Sequence, residues 1–545
     1  MASNAHQVFL QAYDIFFRHY HNKPYTLFNP DLFRRKIDQR QVPQYLQFAF
    51  IATAVRFSSQ LQWKQRKQET IDGYAQCSWE MIMSSPDGLG DGSDVSVIQA
   101  LALLAIIDAT AGRRRAAWVK IGMAVRISQD LQMMLEPDES LPAAEREERR
   151  GIFWSLFLVD RFICCSFRRP PAIKVADCRL KLPVDTPIQD AQSSLTIVEL
   201  LDEKMRSTPG KVVGLSGLSV GLAALLGRTI DYMMNSEATT VEPWQHHSDH
   251  SSIYTSLESL KQMADTYAPS KEQGQSIQLP HTDRTSHFVL SLTLYHLTHC
   301  ILSHPFLLGM KRKAYKDEPT PTPWFEAQHA SCWGHAQALT TLVVDAKAAG
   351  YMLAPSFYSY CVLVAGTVHA ILLHGEDKPA SERAANYIRA SLDYFSEIEE
   401  MWHNSFIMAD ALRFFTNRCV RYSAILLGPA DRFAQLTETD ITVLRAVLDY
   451  WTMMDPRNPV SELSVLNIDC FSRETQSKRE NAPLTPDDTT EGSETSKENS
   501  CNDTVDPTRV LREFPLSISS PLAETEDGGG MEFSRWDWDN ELDLA

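Results

Sequence analysis

Four side chains in the second half of the chain have the residue types and the spacing of a metal site. His296, His299, Cys300 and His304 follow one another at helical steps, so a helix would place imidazole and thiolate groups on one side. The alternative is a structural role, with His296 packed inside a helix and His304 at its end. We favour the structural role and predict no metal at this position.

Two other polar clusters have a suggestive spacing but lack the context that their chemistry needs. Asp487, Asp488 and Glu491 form a D-D-x-x-E pattern, with which helical terpene synthases hold magnesium diphosphate, but they lie in a Ser/Thr/Asp/Glu-rich stretch. Residues 246–250 contain three histidines in a polar segment, where only weak surface affinity for metals is expected. Glycines within 214–221 form no phosphate-binding loop. We therefore predict no catalytic, cofactor-binding or metal-ligating residue.

The overall charge argues against a surface built for nucleic acid. The 545 residues carry a formal net charge of −17 and are 44% hydrophobic, whereas non-specific DNA affinity comes mainly from Lys and Arg that neutralise phosphates. The dense basic spots are the arginines at 113–115 with Lys120, and those at 149–150 with 168–169. DNA contact at these spots is the alternative to the structural role that we favour.

The cysteines and the hydrophobic runs predict a soluble, intracellular protein. The ten cysteines are scattered singly except for Cys164 and Cys165, and none falls in a C-x2-C pair, which is typical of reduced thiols packed as small apolar residues. The first residues lack the pattern of a signal peptide, and no uninterrupted apolar run is long enough to span a bilayer. We expect no membrane association.

The hydrophobic pattern has a helical period along most of the chain. After Trp118, apolar or small residues recur every three or four positions through Leu135, and Arg126 and Asp130 share one face of that helix. Alternating strand patterns are essentially absent, so we predict an all-α fold. The predicted helices cover about 42–56, 71–84, 95–111, 118–135, 140–163, 195–205, 218–234, 288–302, 324–349, 356–373, 382–406 and 407–427.

Composition divides the chain into three parts. Residues 1–470 form the helical body, in which 235–252 and 270–285 look like inserted loops. Residues 471–515 are rich in Ser, Thr, Asp, Glu and Pro, so they cannot bury enough apolar surface to offset the entropy of ordering. We predict a disordered linker there, followed by an acidic-hydrophobic tail at 516–545.

A set of spaced residues in the body resembles the middle homology region of fungal zinc-cluster transcription factors, also called the xylanolytic-activator regulatory domain. The order and spacing of these residues are specific to the family, whereas no single residue among them would be. The motif residues are Trp118, Gly122, Ala124, Arg126, Asp130 and Leu131, then Arg149, Arg150, Trp154, Asp160 and Arg161, then Arg169, Pro170, Leu182 and Pro183.

The resemblance extends beyond that core and implies gene regulation. It covers about residues 16–454, and it implies a nuclear transcription regulator in which these motif residues have structural roles. Arg168 departs from the pattern, since the family usually has glycine before the Arg-Pro pair and glycine commonly supports a positive-φ turn. The local turn is therefore expected to differ.

The family usually carries a binuclear zinc cluster ahead of this region, and this sequence lacks one. We expect zinc and direct DNA binding only if an upstream exon encoding such a cluster is missing from the gene model. The alternatives are a co-regulator that lacks DNA binding and acts through heterodimers, or a helical small-molecule enzyme. The sequence is compatible with a homodimer and with a heterodimer.

The tail has the mixture of acidic and bulky side chains that is typical of an activation segment. Carboxylates keep the hydrophobic anchors exposed for a groove on a transcriptional coactivator. The alternative is a terminal segment that docks back on the body or has no role. The predicted anchors are Phe533, Trp536, Trp538, Leu542 and Leu544.

Overall fold

Polar side chains at helix starts fix several element boundaries in the computed structural model. The Asn29 side chain accepts a hydrogen bond from Leu32 N at 3.1 Å, and Asp94 accepts one from Ser96 N at 2.8 Å, so each caps a free N–H of a helix start. The structure describes residues 2–454, except 60–65, 86–91, 93, 184–193, 207–212, 236–240, 268–282, 314–320, 352 and 429.

The described residues are arranged in α-helices, with one isolated antiparallel bridge between Lys181 and Thr196 and no sheet. This confirms the predicted all-α class. The helices are α1 (Ala2–His19), α2 (Pro30–Asp38), α3 (Gln44–Val55), α4 (Lys67–Ser84), α5 (Val95–Thr110), α6 (Arg114–Asp130), α7 (Ala143–Ile163), α8 (Ile197–Leu201), α9 (Glu203–Arg206), α10 (Leu215–Ile230), α11 (Asp249–Asp265), α12 (Asp283–Leu302), α13 (Pro305–Lys313), α14 (Thr322–Ala348), α15 (Phe357–Leu373), α16 (Lys378–Ile398), α17 (His403–Leu426), α18 (Glu438–Leu448) and α19 (Tyr450–Met453).

Two helices that are apolar all round form the centres of the packing. Nearly every residue of α5 and of α15 is buried, as expected for a helix with no polar face. Helix α5 packs on α3, α6 and α7, and α15 packs on α14, α16 and α17.

Helices α7, α10 and α12 connect these two regions. Helix α10 packs against both α7 and α12, and α12 also contacts α11, α14 and α15. One continuous hydrophobic core therefore runs from α1 to α19 through the described residues. In this part of the chain, no helix combines the length and the apolar character needed to cross a membrane.

Some predicted boundaries are wrong. The helices predicted at 382–406 and 407–427 are separated at 399–402, because Trp402 is buried there and its indole N–H donates to Ala354 O. No glycine or proline marks that turn in the sequence. The predicted helix 195–205 is two short helices, α8 and α9, and the pattern did not predict α1 or α2.

Candidate functional site

Trp154, one of the two motif tryptophans, lies on α7 with its side chain in the core. Its side chain is 2% exposed, and its ring packs edge-on against Phe153 and Phe157, with centroids 5.2 and 5.6 Å away. The indole N–H donates to Lys181 O at 2.8 Å. The ring is therefore packed against apolar side chains, and its N–H is hydrogen-bonded within the chain.

Asp160 and Arg161 hold the loop that follows α7 by its backbone. Asp160 accepts hydrogen bonds from Ala172 N at 3.0 Å, Ile173 N at 3.1 Å and Arg161 Nη1 at 2.6 Å. Arg161 also donates to Ile173 O, and its guanidinium lies 4.1 Å from the ring centre of Phe157. Burial raises the pKa of Asp160, and the donors around it limit that rise. This buried pair binds the loop rather than a substrate.

Arg168 and Arg169 occupy a tight turn after α7. Arg168 has φ 60 and its backbone N–H donates to the Asn235 side chain, so the turn keeps the left-handed conformation that glycine favours. The guanidinium of Arg169 lies 5.1 Å from the ring centre of Trp118 and 4.6 Å from that of Trp451. The expectation of an altered turn is therefore wrong at the level of the backbone.

Asp449 ties this turn to the last described helices. Its carboxylate accepts hydrogen bonds from Ser166 Oγ at 2.7 Å and Phe167 N at 3.0 Å. It also caps α19 by accepting from Trp451 N at 2.9 Å and Thr452 N at 2.8 Å. Sequence reasoning missed this residue, although an Asp directly before a short helix is a recognisable cap signal.

The other motif residues do not converge on one point. Arg150 forms ion pairs with Glu136 and Glu147, and Arg126 donates to Gln129 Oε1 at 3.0 Å. Three motif residues, Arg126, Asp130 and Pro170, are exposed, and Arg149 is half-buried.

Most cations of the basic spot around the start of α6 form ion pairs or hydrogen bonds within the chain. Lys120 Nζ lies 2.5 Å from Asp108 Oδ2, and Arg113 Nε lies 2.6 Å from Asp108 Oδ1. Arg114 Nη1 donates to Trp451 O at 2.9 Å. These contacts favour the structural role over DNA contact for the three cations.

The four candidate metal ligands at 296–304 do not meet at one point. His296 Nδ1 lies 2.9 Å from His335 Nδ1, whereas His304 Nε2 lies 3.2 Å from Thr367 Oγ1. Within the ranges that the structure describes, no group of three or more His, Cys, Asp or Glu is placed to hold a metal ion.

Four histidines of α11, α12 and α14 form what we call the histidine cluster: His250 and His299, which are buried, and His296 and His335, which are half-buried. The rings of His299 and His335 stack at 4.0 Å, and His299 Nε2 lies 3.3 Å from Glu258 Oε1. Burial lowers the pKa of His250 and His335 to about 4, of His296 to about 3 and of His299 to about 2. The cluster is therefore neutral in the folded protein at neutral pH.

A cleft of about 360 Å³ opens beside the first half of α7. It lies against the 21–30 loop, α10 and α12. At Gly151 a Cβ would stand 2.6 Å from Thr26 O, so glycine allows α7 to approach the loop closely. The polar residues of the cleft include Asn22, Thr26, Glu148, Ser155, Ser216 and His287.

The polar groups of the cleft bond mainly to each other. Thr26 N donates to Ser155 Oγ at 2.7 Å, and Thr26 Oγ1 donates to Asn22 Oδ1 at 2.9 Å. Glu148 accepts from Asn29 N at 3.1 Å, and burial raises the pKa of its carboxyl. The arrangement can receive a small polar molecule, and the contacts given for its described residues include no serine or carboxylate paired with a histidine as a general base.

The buried thiols are equally poor candidates for nucleophiles. Burial raises the pKa of Cys164 and raises that of Cys178 to about 12, so neither is a thiolate near neutral pH. Sequence reasoning missed the cleft because its residues come from five distant segments without a shared local pattern.

The fold and these sites define a helical domain built for binding and packing. Residues 13–263 match the family described as fungal specific transcription factor domain. The chain is 22% identical over 419 residues to a Zn(2)-C6 fungal-type transcription factor of Fusarium oxysporum f. sp. lycopersici, which covers 71% of this chain and 43% of that protein.

A second relative is also named as a transcription regulator. An uncharacterized transcriptional regulatory protein of Schizosaccharomyces pombe is 26% identical over 268 residues, covering 45% of this chain and 27% of that protein. The chain is therefore similar to fungal transcription regulators, with the family match confined to residues 13–263. It spans less than half the length of these curated relatives, and their names describe regulators rather than enzymes.

The predicted linker at 471–515 and tail at 516–545, with all five anchors from Phe533 to Leu544, lie outside the described residues. They stay predictions.

Proposed function

We propose that this chain is the regulatory and effector part of a zinc-cluster-family transcription regulator that acts in the nucleus and controls target pathway genes. The observation that carries the proposal is the family match over residues 13–263. That match contains the motif residues from Trp118 to Pro183, whose buried members pack and hydrogen-bond within the chain.

We propose transcriptional coactivators as partners of the tail. Residues 531–545 contain the five anchors among five carboxylates, Glu532, Asp537, Asp539, Glu541 and Asp543. Bulky side chains of this kind bind hydrophobic grooves as an induced helix. For the helical body we propose a second subunit, either identical or related, as the further partner.

The test fuses the full chain to an unrelated DNA-binding domain and measures a reporter gene with the matching binding site. We expect expression to rise above that given by the DNA-binding domain alone. A matched variant replaces Trp536, Trp538, Leu542 and Leu544 with Ala and keeps every negative charge. This variant should lose the increase, because the hydrophobic anchors make the coactivator contact.

The outcomes separate the two proposals. A full-chain fusion that changes reporter expression in neither direction contradicts the regulator assignment. An increase that persists in the four-alanine variant contradicts only the role of the tail. A fluorescent fusion that is excluded from the nucleus contradicts the proposed location.

A further inference from the structure

A second cleft, of about 650 Å³, lies between the ends of α14 and α16, and we call it the α14–α16 cleft. Its lining comes from residues 343–353, at the end of α14 and in the loop after it, and from residues 390–398 of α16. A volume of this size is typical of pockets that hold small organic molecules. The cleft lies outside the family match of residues 13–263, so that match assigns it no role.

The floor of the α14–α16 cleft is apolar. Val343, Leu353 and Ile398 line it and are buried in the hydrophobic core. Tyr394 also lines it, and the hydroxyl of Tyr394 already donates to Leu353 O at 2.9 Å. Val344 is 44% exposed in the same lining, so a ligand in the cleft would remove apolar surface from water. The floor therefore favours an apolar group.

The exposed rim of the α14–α16 cleft has more negative than positive charge. Asp393, Glu397 and Lys347 line the cleft and are exposed. Lys347 of α14 forms an ion pair with Glu397 of α16. The hydrogen bond to Glu397 raises the pKa of Lys347, and the charge of Asp393 adds to that effect. One ammonium group therefore interacts with two carboxylates at this rim.

Asp393 is the carboxylate of this rim that has room for a further cation. Among the described residues, no side chain forms a hydrogen bond or an ion pair with Asp393. Arg389, one turn earlier on α16, donates instead to Asn386 Oδ1 at 3.1 Å. Because Lys347 is bonded to Glu397, its charge offsets that of Asp393 only in part.

The surroundings of the α14–α16 cleft have the same sign of charge. Segments 343–353 and 390–400 together contain five carboxylates and one lysine in their side chains. Both helices also end here, α14 at Ala348 and α16 at Ile398, and the C-terminus of a helix carries a partial negative charge. These charges favour a cationic group in the cleft and disfavour an anion.

We propose that the α14–α16 cleft binds a small organic molecule that has an apolar body and a protonated amine. The apolar body lies on the floor beside Val343 and Ile398, and the ammonium group pairs with Asp393. An organic anion of the same shape would be repelled by the carboxylates of the rim. A small polar molecule would leave the apolar floor in contact with water.

The experiment measures binding of 4-phenylbutylamine to the full chain by saturation-transfer difference NMR. The matched probes 4-phenylbutanol and 4-phenylbutanoate have the same apolar body and differ in the charge of the head group. A ligand of this size has a Kd on the order of 1 mM, and well below that concentration the signal is proportional to affinity. We expect the amine signal to exceed that of the alcohol about five-fold, as for an exposed ion pair, and the carboxylate signal to be weakest.

A charge variant tests the role of the carboxylate. Asp393→Asn should lower the amine signal about five-fold, to the level of the alcohol, because the ion pair is lost. The alcohol signal should stay the same. The matched control Glu382→Gln neutralises an exposed carboxylate of the same helix outside the cleft and should change neither signal. Circular dichroism melting checks that both variants remain folded.

A second variant tests the location and keeps the proposal testable if Asp393→Asn unfolds. Ala348 is exposed at the end of α14 and lines the cleft, so Ala348→Trp adds a bulky ring there without removing a core side chain. The amine and the alcohol should both lose their signals, because the indole competes for the apolar floor. The matched control Ala330→Trp adds the same ring at an exposed position of α14 outside the cleft and should leave both signals unchanged.

Three results would overturn the proposal. The first is an amine signal that is absent or no stronger than the carboxylate signal. The second is an amine signal that Ala348→Trp leaves unchanged. The third is a chain that self-associates in sedimentation velocity and does so more weakly with Ala348→Trp than with Ala330→Trp, which would assign the cleft to a second copy of the chain.

Discussion

Single residues of the motif stabilise the chain through buried polar contacts as much as through packing. Trp154 and Arg161 each bury a large side chain, and each also satisfies a backbone carbonyl with an N–H donor. Substitutions at these positions are therefore expected to reduce stability before they change any interaction with a partner.

Replacing Trp154 with Ala should lower the free energy of unfolding by roughly 3–5 kcal/mol, as for other large-to-small changes in a core. The change removes the contacts with Phe153 and Phe157 and leaves Lys181 O without its donor. Urea denaturation followed by circular dichroism measures the loss. Trp154→Phe is the control, because it keeps most of the packing and should cost less. A Trp154→Ala variant as stable as the parent would place this residue at a binding site instead.

Replacing Asp160 with Asn should cost roughly 3–5 kcal/mol, because it leaves the buried guanidinium of Arg161 without its counter-charge. The double variant Asp160→Asn/Arg161→Met removes both charges and should be more stable than the Asp160→Asn single variant. Denaturant titration of the parent, both single variants and the double variant gives the coupling energy. Strictly additive losses would contradict a direct role of the pair.

Replacing Arg168 with Gly should stabilise the chain by about 0.5–1 kcal/mol, since the left-handed conformation costs a non-glycine residue roughly 1–2 kcal/mol and glycine loses part of that gain in the unfolded chain. Differential scanning calorimetry measures the rise in Tm. Arg179→Gly, at an exposed loop position with no positive φ, is the control and should not stabilise. A lower Tm for Arg168→Gly would mean that the arginine side chain outweighs the backbone strain.

At the residue scale, the sequence predicts the role of a residue where neighbouring residues form a recognisable pattern. The resemblance implies a structural role for Trp154, and in the structure its side chain is buried. The role of Asp449 could not be predicted, because its partners Ser166 and Phe167 lie more than 280 positions earlier. Only the packing of the whole chain brings these residues together.

At the element scale, helices with a clear period were predictable and their ends were less so. Helices α5 and α15 have long apolar runs, and the predicted limits agree with the structure within one residue. The turn between α16 and α17 has no local marker, because the buried contacts of Trp402 fix it. The cleft beside α7 depends on five segments that meet only in the folded chain.

The packing of α11, α12 and α14 should weaken in acid. The histidine cluster has folded pKa values of about 2 to 4, below the usual value of about 6.5 for an unfolded chain. The unfolded state therefore binds more protons, so stability is complete above about pH 6.5 and falls by up to about 1.4 kcal/mol per histidine for each pH unit below it.

Urea denaturation between pH 7.5 and pH 4.5 measures this slope. His299→Phe should make the slope shallower by about one proton, since one buried imidazole no longer titrates. The control H246Q/H247Q changes two exposed histidines in the loop before α11 and should leave the slope unchanged. An equal slope in the parent and in His299→Phe would contradict the link between burial and acid sensitivity.

At the scale of the whole molecule, the family match and the core do not have the same limits. The match ends at residue 263, whereas the core continues to α19, where Trp451 contacts the motif residue Trp118. The fold class follows from the helical period throughout. The pairing of the first and last parts needs the three-dimensional structure, because no local pattern links them.

The polypeptide as given should hold no stoichiometric zinc and bind duplex DNA only weakly. None of its ten cysteines lies in a C-x2-C pair, and the net charge is −17, so it lacks both the thiolate spacing of a zinc cluster and a basic excess. Elemental analysis after mild chelation and a DNA titration at physiological salt measure these properties. One or more zinc ions retained per chain would contradict the prediction.

The contact between Ser166 and Asp449 also has a consequence for how the protein is made. The ribosome must add 283 residues after Ser166 before its partner exists, which at roughly 5–20 residues per second takes tens of seconds. During that interval the turn at 166–169 and the ring of Trp118 stay uncovered in the nascent chain. Molecular chaperones can therefore bind this segment during that interval. A message that ends before codon 449 yields a chain in which the segment stays uncovered.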